Sequence, residues 1–276
     1  MIGLKIILLF WLLSSILQTP HSLFDHLNEQ FLLYIMVGFL AQLVDGTMGM
    51  AYGVSCNTLL LSLGVPPVIA SAGVHTAEVF TTGVSGLSHL YAKNVERRLL
   101  LFLVVFGVLG AFLGVFLLAN VFSGDFIKPY IALYLAGIGI FIVYKSYRPV
   151  GKEKEEISAR RIGFWGFTGG LLDAIGGGGW GPVVVSNLLK NPKDPHIIIG
   201  TVNTAEFFVT LCSGMAFLFF VGFSSSPILL GLIVGGVLAA PLGALLLRYI
   251  KAAYLMRLVG ILLSITSLIV IYKSLW

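Results

Sequence analysis

Two stretches decide the fold: Leu43-Val44-Asp45-Gly46-Thr47-Met48-Gly49-Met50-Ala51-Tyr52-Gly53 and Leu172-Asp173-Ala174-Ile175-Gly176-Gly177-Gly178-Gly179-Trp180-Gly181-Pro182. Each is a polar, glycine-rich break set inside apolar sequence. Sliding the chain by 128 residues lays one on the other, and the match runs without a gap from Asp45–Gly86 onto Asp173–Gly214. Of the 42 pairs, 15 are identical, including Asp45/Asp173, Gly49/Gly177, Gly53/Gly181, Pro67/Pro195, Glu78/Glu206 and Gly86/Gly214. Apolar bias can align leucines by chance, but it cannot align Asp, Glu, Thr and Pro at one offset. The chain is an internal duplication.

Composition places that duplication in a bilayer. The 276 residues are 58% hydrophobic and only 11% charged, against about 25% charged in a soluble domain. Mean hydropathy is +0.99. Long apolar runs cover Pro67–Tyr91, Leu99–Ala119, Ile127–Tyr147, Ile197–Val221, Pro227–Leu247 and Ala253–Tyr272, each near the length that crosses a hydrocarbon core. This pattern excludes a soluble enzyme and a disulfide-stapled module; the two cysteines, Cys56 and Cys212, sit inside apolar stretches. The net charge of +5 does not indicate nucleic acid, because the basic residues lie in short loops between apolar runs.

The reading is an all-α polytopic membrane protein built from two inverted-topology repeats. Residues 1–30 form an N-terminal signal-anchor helix and loop, 31–148 repeat 1, 149–161 a charged cytoplasmic linker, and 162–276 repeat 2. Each repeat begins with a broken, re-entrant helix pair: short arms Phe31–Val44 and Ala51–Leu63 in the first, Ile162–Leu172 and Trp180–Leu189 in the second. Arms of 10–14 residues reach about 15–21 Å as helices, short of a core of about 30 Å. Three transmembrane helices follow in each repeat. Three is odd, so the halves run in opposite directions. With Lys5 cytoplasmic, 15 of the 17 lysines and arginines fall inside, as the positive-inside rule asks. The N-terminus is then cytoplasmic, the C-terminus outside, and the location a cytoplasmic membrane.

Inverted repeats with broken helices characterise secondary transporters that bind substrate at the midplane. The arm after each break presents backbone N–H groups and the positive end of its dipole, which suits an anion. Candidate substrate contacts are Gly49, Tyr52, Gly53, Asn57, His75 and Thr76 in the first half. Those in the second are Gly177, Gly178, Gly179, Trp180, Gly181, Asn203 and Thr204. Asp45 and Asp173 are expected to cap the arms. Glu78 and Glu206 lie about eleven residues into long apolar helices, where a carboxylate costs roughly 2.5–3.5 kcal/mol even on a lenient scale; they are the candidate proton-coupling residues. His75 shares a helix face with Glu78. No HExxH, nucleotide-binding loop or nucleophile–base pair occurs, so no metal, cofactor or enzymatic activity is read.

The two breaks, with His75-Thr76-Ala77-Glu78 and Asn203-Thr204-Ala205-Glu206 behind them, resemble the paired signatures of the sulfite exporter (TauE/SafE) family of permeases. The resemblance spans roughly residues 31–275. It implies movement of a small sulfur-containing anion, sulfite or an organosulfonate, by alternating access, with an anion channel on the same scaffold as the alternative.

Overall fold

The computed structural model describes residues 29–48, 51–122, 124–147, 157–188, 195–222, 226–246 and 252–275. The expected signal-anchor helix, Gly49 and most of the charged linker lie outside them. Among the described residues the chain is helical, with no strand. Repeat 1 comprises α1 (Glu29–Met48), α2 (Tyr52–Ser62), α3 (Pro67–Tyr91), α4 (Arg97–Asn120) and α5 (Gly124–Ser146). Repeat 2 comprises α6 (Ala159–Gly176), a π-helical turn Trp180–Val185 running into α7 (Ser186–Leu188), α8 (Pro195–Val221), α9 (Ser226–Leu246) and α10 (Ala252–Leu275). Within α4, α5, α8 and α10 lie segments long and apolar enough to cross a membrane. Helix α3 has the length, at 25 residues, but carries polar groups that it turns inward, among them Ser71, His75 and Glu78.

The arms differ from the expectation. Helices α1 and α6 have 20 and 18 residues, about 30 and 27 Å long, because both extend past the apolar run at each end. Helix α6 starts at Ala159, inside the segment read as linker, where the Ser158 hydroxyl accepts the Arg161 N–H. It continues through Asp173 to Gly177, whose φ of 67° stops the helix and whose N–H bonds the Asp173 carbonyl at 2.6 Å. Only a glycine takes that left-handed conformation without strain. The returning arms are short: 11 residues in α2 and nine in Trp180–Leu188.

Helix pairing is crosswise. Helix α1 packs on α9 of the other repeat, and α4 on α6; α3 packs on α8, and α5 on α10. Small residues permit the close approach that membrane helices use. Along α4, Leu103 and Gly107 lie against Gly166 and Gly170 of α6, and Gly110 and Gly114 against Phe167 and Leu171. Residue numbers rise together along this pair, so these helices are parallel. Gly231 and Gly235 of α9 meet Tyr34 and Ile35 of α1 in the same sense.

The α3/α8 pair runs the other way. The Thr82 and Thr210 hydroxyls lie 3.3 Å apart, and these residues are 128 apart in sequence, each the repeat mate of the other. On one side Thr204 faces Gly86; on the other Thr76 faces Gly214, again mates exchanged. Numbers rise in one helix as they fall in the other. The contact is self-complementary about Thr82/Thr210, as across a two-fold axis.

Substitution tests the glycine seams. A Cβ on Gly170 meets the Gly107 carbonyl, with the Gly107 C at 3.0 Å and the Ala111 N at 3.1 Å, whereas Gly137 has open space beside it. Gly170→Leu is expected to destabilise by at least about 1–3 kcal/mol, lowering the melting temperature in detergent, while Gly137→Leu leaves it unchanged. Equal melting curves overturn the seam.

Candidate functional site

The N-terminus of a helix has N–H groups with no partner in its own helix, and at membrane depth they must be satisfied by protein. Both breaks meet this requirement with the same residue at the same spacing. Asp45 Oδ1 accepts the N–H of Ala51 at 2.9 Å and of Tyr52 at 3.2 Å. Asp173 Oδ1 accepts the N–H of Gly179 at 2.7 Å and of Trp180 at 3.1 Å. The carboxylate at the end of the incoming arm thus ties down the start of the outgoing one.

The C-terminal end of α6 is secured from the other repeat. Ser71 Oγ donates to the Ala174 carbonyl at 2.8 Å, Asn57 Nδ2 donates to the Gly176 carbonyl, and the Tyr134 hydroxyl donates to the Gly178 carbonyl at 3.1 Å. Within the aligned stretch the mates of Ser71 and Asn57 are Ile199 and Val185, which carry no such donor. The first break is therefore not pinned by the equivalent residues.

The two breaks touch. A Cβ on Gly53 meets the Gly177 carbonyl and, at 2.8 Å, Glu78 Oε1; one on Gly178 meets the Val54 backbone, its Cα at 2.6 Å. Between them lies a small cavity lined by Asp45, Ala51, Tyr52, Gly53, Val54, Glu78, Asp173, Gly178, Gly179, Gly181, Pro182 and Glu206. It offers about 10 Å³ of water-sized space, room for one water at most. A four-atom oxyanion enters only if the breaks separate.

Several expected contacts lie elsewhere. Gly177 and Trp180 pack behind the cavity; the Trp180 ring is fully buried, and its Nε1 donates to the Val202 carbonyl at 3.1 Å. Tyr52 does line the cavity, with its hydroxyl directed to the Leu232 carbonyl at 3.4 Å. Thr76 and Thr204 turn their hydroxyls onto their own helices, at Ala72 and Gly200, at the α3/α8 contact. Asn203 Nδ2 reaches Ser85 Oγ at 3.5 Å, and Asn57 is committed to Gly176. Sequence reasoning passed over Ala51, Val54 and Pro182, although Val54 and Pro182 are repeat mates directly after the paired glycines Gly53 and Gly181.

His75 finds an aspartate rather than its helix neighbour Glu78. Its Nδ1 lies 2.8 Å from the Ser71 carbonyl and its Nε2 3.2 Å from Asp173 Oδ2, with the ring fully buried beside Phe217. His75, Glu78 and Asp173 each place a ligand-type atom within 4.8 Å of the others. Both imidazole nitrogens are already engaged, so His75 and Asp173 are accounted for as a hydrogen-bonded pair, with Glu78 beside them.

The profile of the family described as Sulfite exporter TauE/SafE matches residues 34–270. The probable membrane transporter protein YtnM of Bacillus subtilis strain 168 is 38% identical over 239 residues, covering 84% of this chain and 79% of that protein. The Sulfite exporter TauE/SafE family protein 3 of Arabidopsis thaliana is 31% identical over 85 residues, 31% of this chain and 18% of that protein. No solved structure matches the chain.

The aspartate ties are testable amide by amide. Asp173→Ala is expected to expose the N–H groups of Gly179 and Trp180 to exchange, and Asp45→Ala those of Ala51 and Tyr52. Each loss costs about 0.5–2 kcal/mol, as for a helix cap. Hydrogen–deuterium exchange by mass spectrometry reads both; protection unchanged in either variant contradicts the assignment.

Proposed function

Because the chain belongs to the sulfite exporter TauE/SafE family, a family of multi-pass membrane transporters, we propose that it is a secondary transporter of a small sulfur-containing anion, such as sulfite or an organosulfonate. The anion binds between the two glycine-rich breaks and moves by alternating access, with protons carried by Glu78 and Glu206.

One observation carries this reading: two aspartate-held breaks converge on one small cavity. The aspartates occupy the first two N–H groups of each arm, which sequence reasoning had offered to the anion. Helix geometry leaves the next ones, Gly53 and Val54 in α2 and Gly181 in the π-helical arm, with no carbonyl one turn earlier in their own helix. Pro182 has no N–H to offer. These three N–H groups belong to cavity-lining residues, at the positive ends of two arm dipoles. The aspartates hold them in place, and the oxyanion accepts from them. A cavity of one-water size favours a carrier over an open pore, because it has to widen at each passage.

The exchanged contacts about Thr82/Thr210 support repeats related by a two-fold axis across antiparallel helices. If those helices cross the bilayer, that axis lies in the membrane plane and the repeats are inverted. We place the N-terminus and the 149–161 linker in the cytoplasm and the C-terminus outside.

Proteoliposome uptake of a panel of sulfur oxyanions, with and without a pH gradient, tests the function. Saturable uptake that grows when the outside is made more acidic than the lumen is expected; conductance far above carrier turnover, or no flux of any panel anion, overturns the reading. In the same assay Gly178→Leu, whose side chain drives into Val54, is expected to abolish anion binding in protein that remains monodisperse, and unchanged affinity removes the breaks from the site.

Orientation is tested in intact cells. Cysteines introduced between residues 149 and 156 are expected to be shielded from impermeant reagents, and cysteines at Ser224 or Ser225 to be labelled. The reverse pattern overturns the inverted arrangement.

A further inference from the structure

The cavity is lined by four carboxylates, Asp45, Glu78, Asp173 and Glu206, and by no lysine or arginine. For a site that takes an anion this is a severe imbalance, because like charges in a low-dielectric cavity repel strongly. The four are not equivalent. Each aspartate spends one oxygen on two backbone N–H groups held at fixed positions, which offsets part of the cost of burying it.

Asp173 has further compensation. The Ser71 carbonyl can only accept, so the His75 Nδ1 facing it carries a hydrogen. The 3.2 Å contact between Nε2 and Asp173 Oδ2 then requires one shared proton. Whichever atom holds it, His75 and Asp173 together are neutral.

The glutamates have no such support. They are repeat mates on α3 and α8, and both line the cavity. Among the described residues no hydrogen-bond donor is bonded to either carboxylate. Glu78 is 4% exposed. The titratable groups around it are Tyr52 and Cys56 on α2, Asp45 on α1, Asp173 on α6, Glu206 on α8, and His75 on its own helix. Asp45 and Asp173 also face Glu206. None of these is a free cation. Positive charge to offset an incoming anion therefore has to arrive with it.

Resting on the transport reading above, we propose that the anion is carried with two protons, one on each of Glu78 and Glu206, while Asp45 and Asp173 keep their backbone ties throughout the cycle. Loading adds a proton to each glutamate carboxylate, and release removes both. A doubly charged anion then crosses with no net charge, and a singly charged one with one net positive charge. Protonation and anion binding strengthen each other reciprocally.

The full chain in proteoliposomes, with sulfite as the probe, gives the test. The pH gradient that balances an opposing sulfite gradient yields a proton-to-anion ratio. Sulfite's own titration contributes equally to every variant, so differences between variants carry the result. Glu78→Gln and Glu206→Gln are each expected to lower the ratio by about one, and the double variant by about two. Glu78→Asp and Glu206→Asp, which keep a carboxyl group, are expected to retain the wild-type ratio, separating loss of a proton site from damage to the fold. A drop in only one of the two glutamine variants overturns the second proton and leaves a singly coupled transporter. An unchanged ratio in both glutamine variants overturns the glutamates as proton carriers. If wild type moves no sulfite in either condition, the sulfite-transport reading falls, and this proposal with it.

Discussion

Backbone N–H and C=O groups cannot be left unpaired at membrane depth, and the centre of this protein is organised around that constraint. Breaking a helix in mid-chain exposes several such groups at once. Asp45 and Asp173 satisfy the start of the arm after each break, one carboxylate oxygen to two N–H groups. At the end of the helix that leads into the second break, Ser71, Asn57 and Tyr134 reach across from the other repeat. Folding of the second half is therefore bound to folding of the first, because the groups that satisfy the end of α6 are supplied by α2, α3 and α5.

The same constraint shapes the chemistry. Since the aspartates take the first N–H groups of each arm, the proposed anion is left with the next ones, on residues that line the cavity together with Glu78 and Glu206. The glycines keep that cavity small: Gly53 and Gly178 let the two backbones approach so closely that a single Cβ collides. A site assembled from two backbones in contact has room for a single water, and in the proposed cycle it widens as the repeats move apart. The self-complementary α3/α8 contact at Thr82/Thr210 joins the two helices that carry Glu78 and Glu206.

Duplication did not leave two equal halves. His75 and Asn203 are mates, yet His75 shares a proton with Asp173 while Asn203 reaches Ser85. The second break is held by three side-chain donors, whereas two of the corresponding positions in the other half are Ile199 and Val185. These differences are single substitutions in the aligned sequence, but their meaning depends on which residue of the opposite half each side chain meets.

Hydropathy, the 128-residue offset and the spacing from aspartate to arm are properties of the chain as a string. From them follow the membrane class, the duplication, the breaks and the conspicuous acids, because each reflects either burial in lipid or a contact within a few residues. The identity of Asp45 and Asp173 as partners of the N–H groups six and seven residues on was legible for the same reason: the interaction is local. What only tertiary structure decided is everything that crosses between repeats. The pairing of His75 with Asp173, the use of Asn57 on Gly176, and the removal of Thr76 and Thr204 to a helix seam are of this kind. So is the contact of Gly53 with Gly177 that closes the cavity. Such contacts join residues about 100 or more positions apart, and no period or motif encodes a distance that arises only when two helices pack.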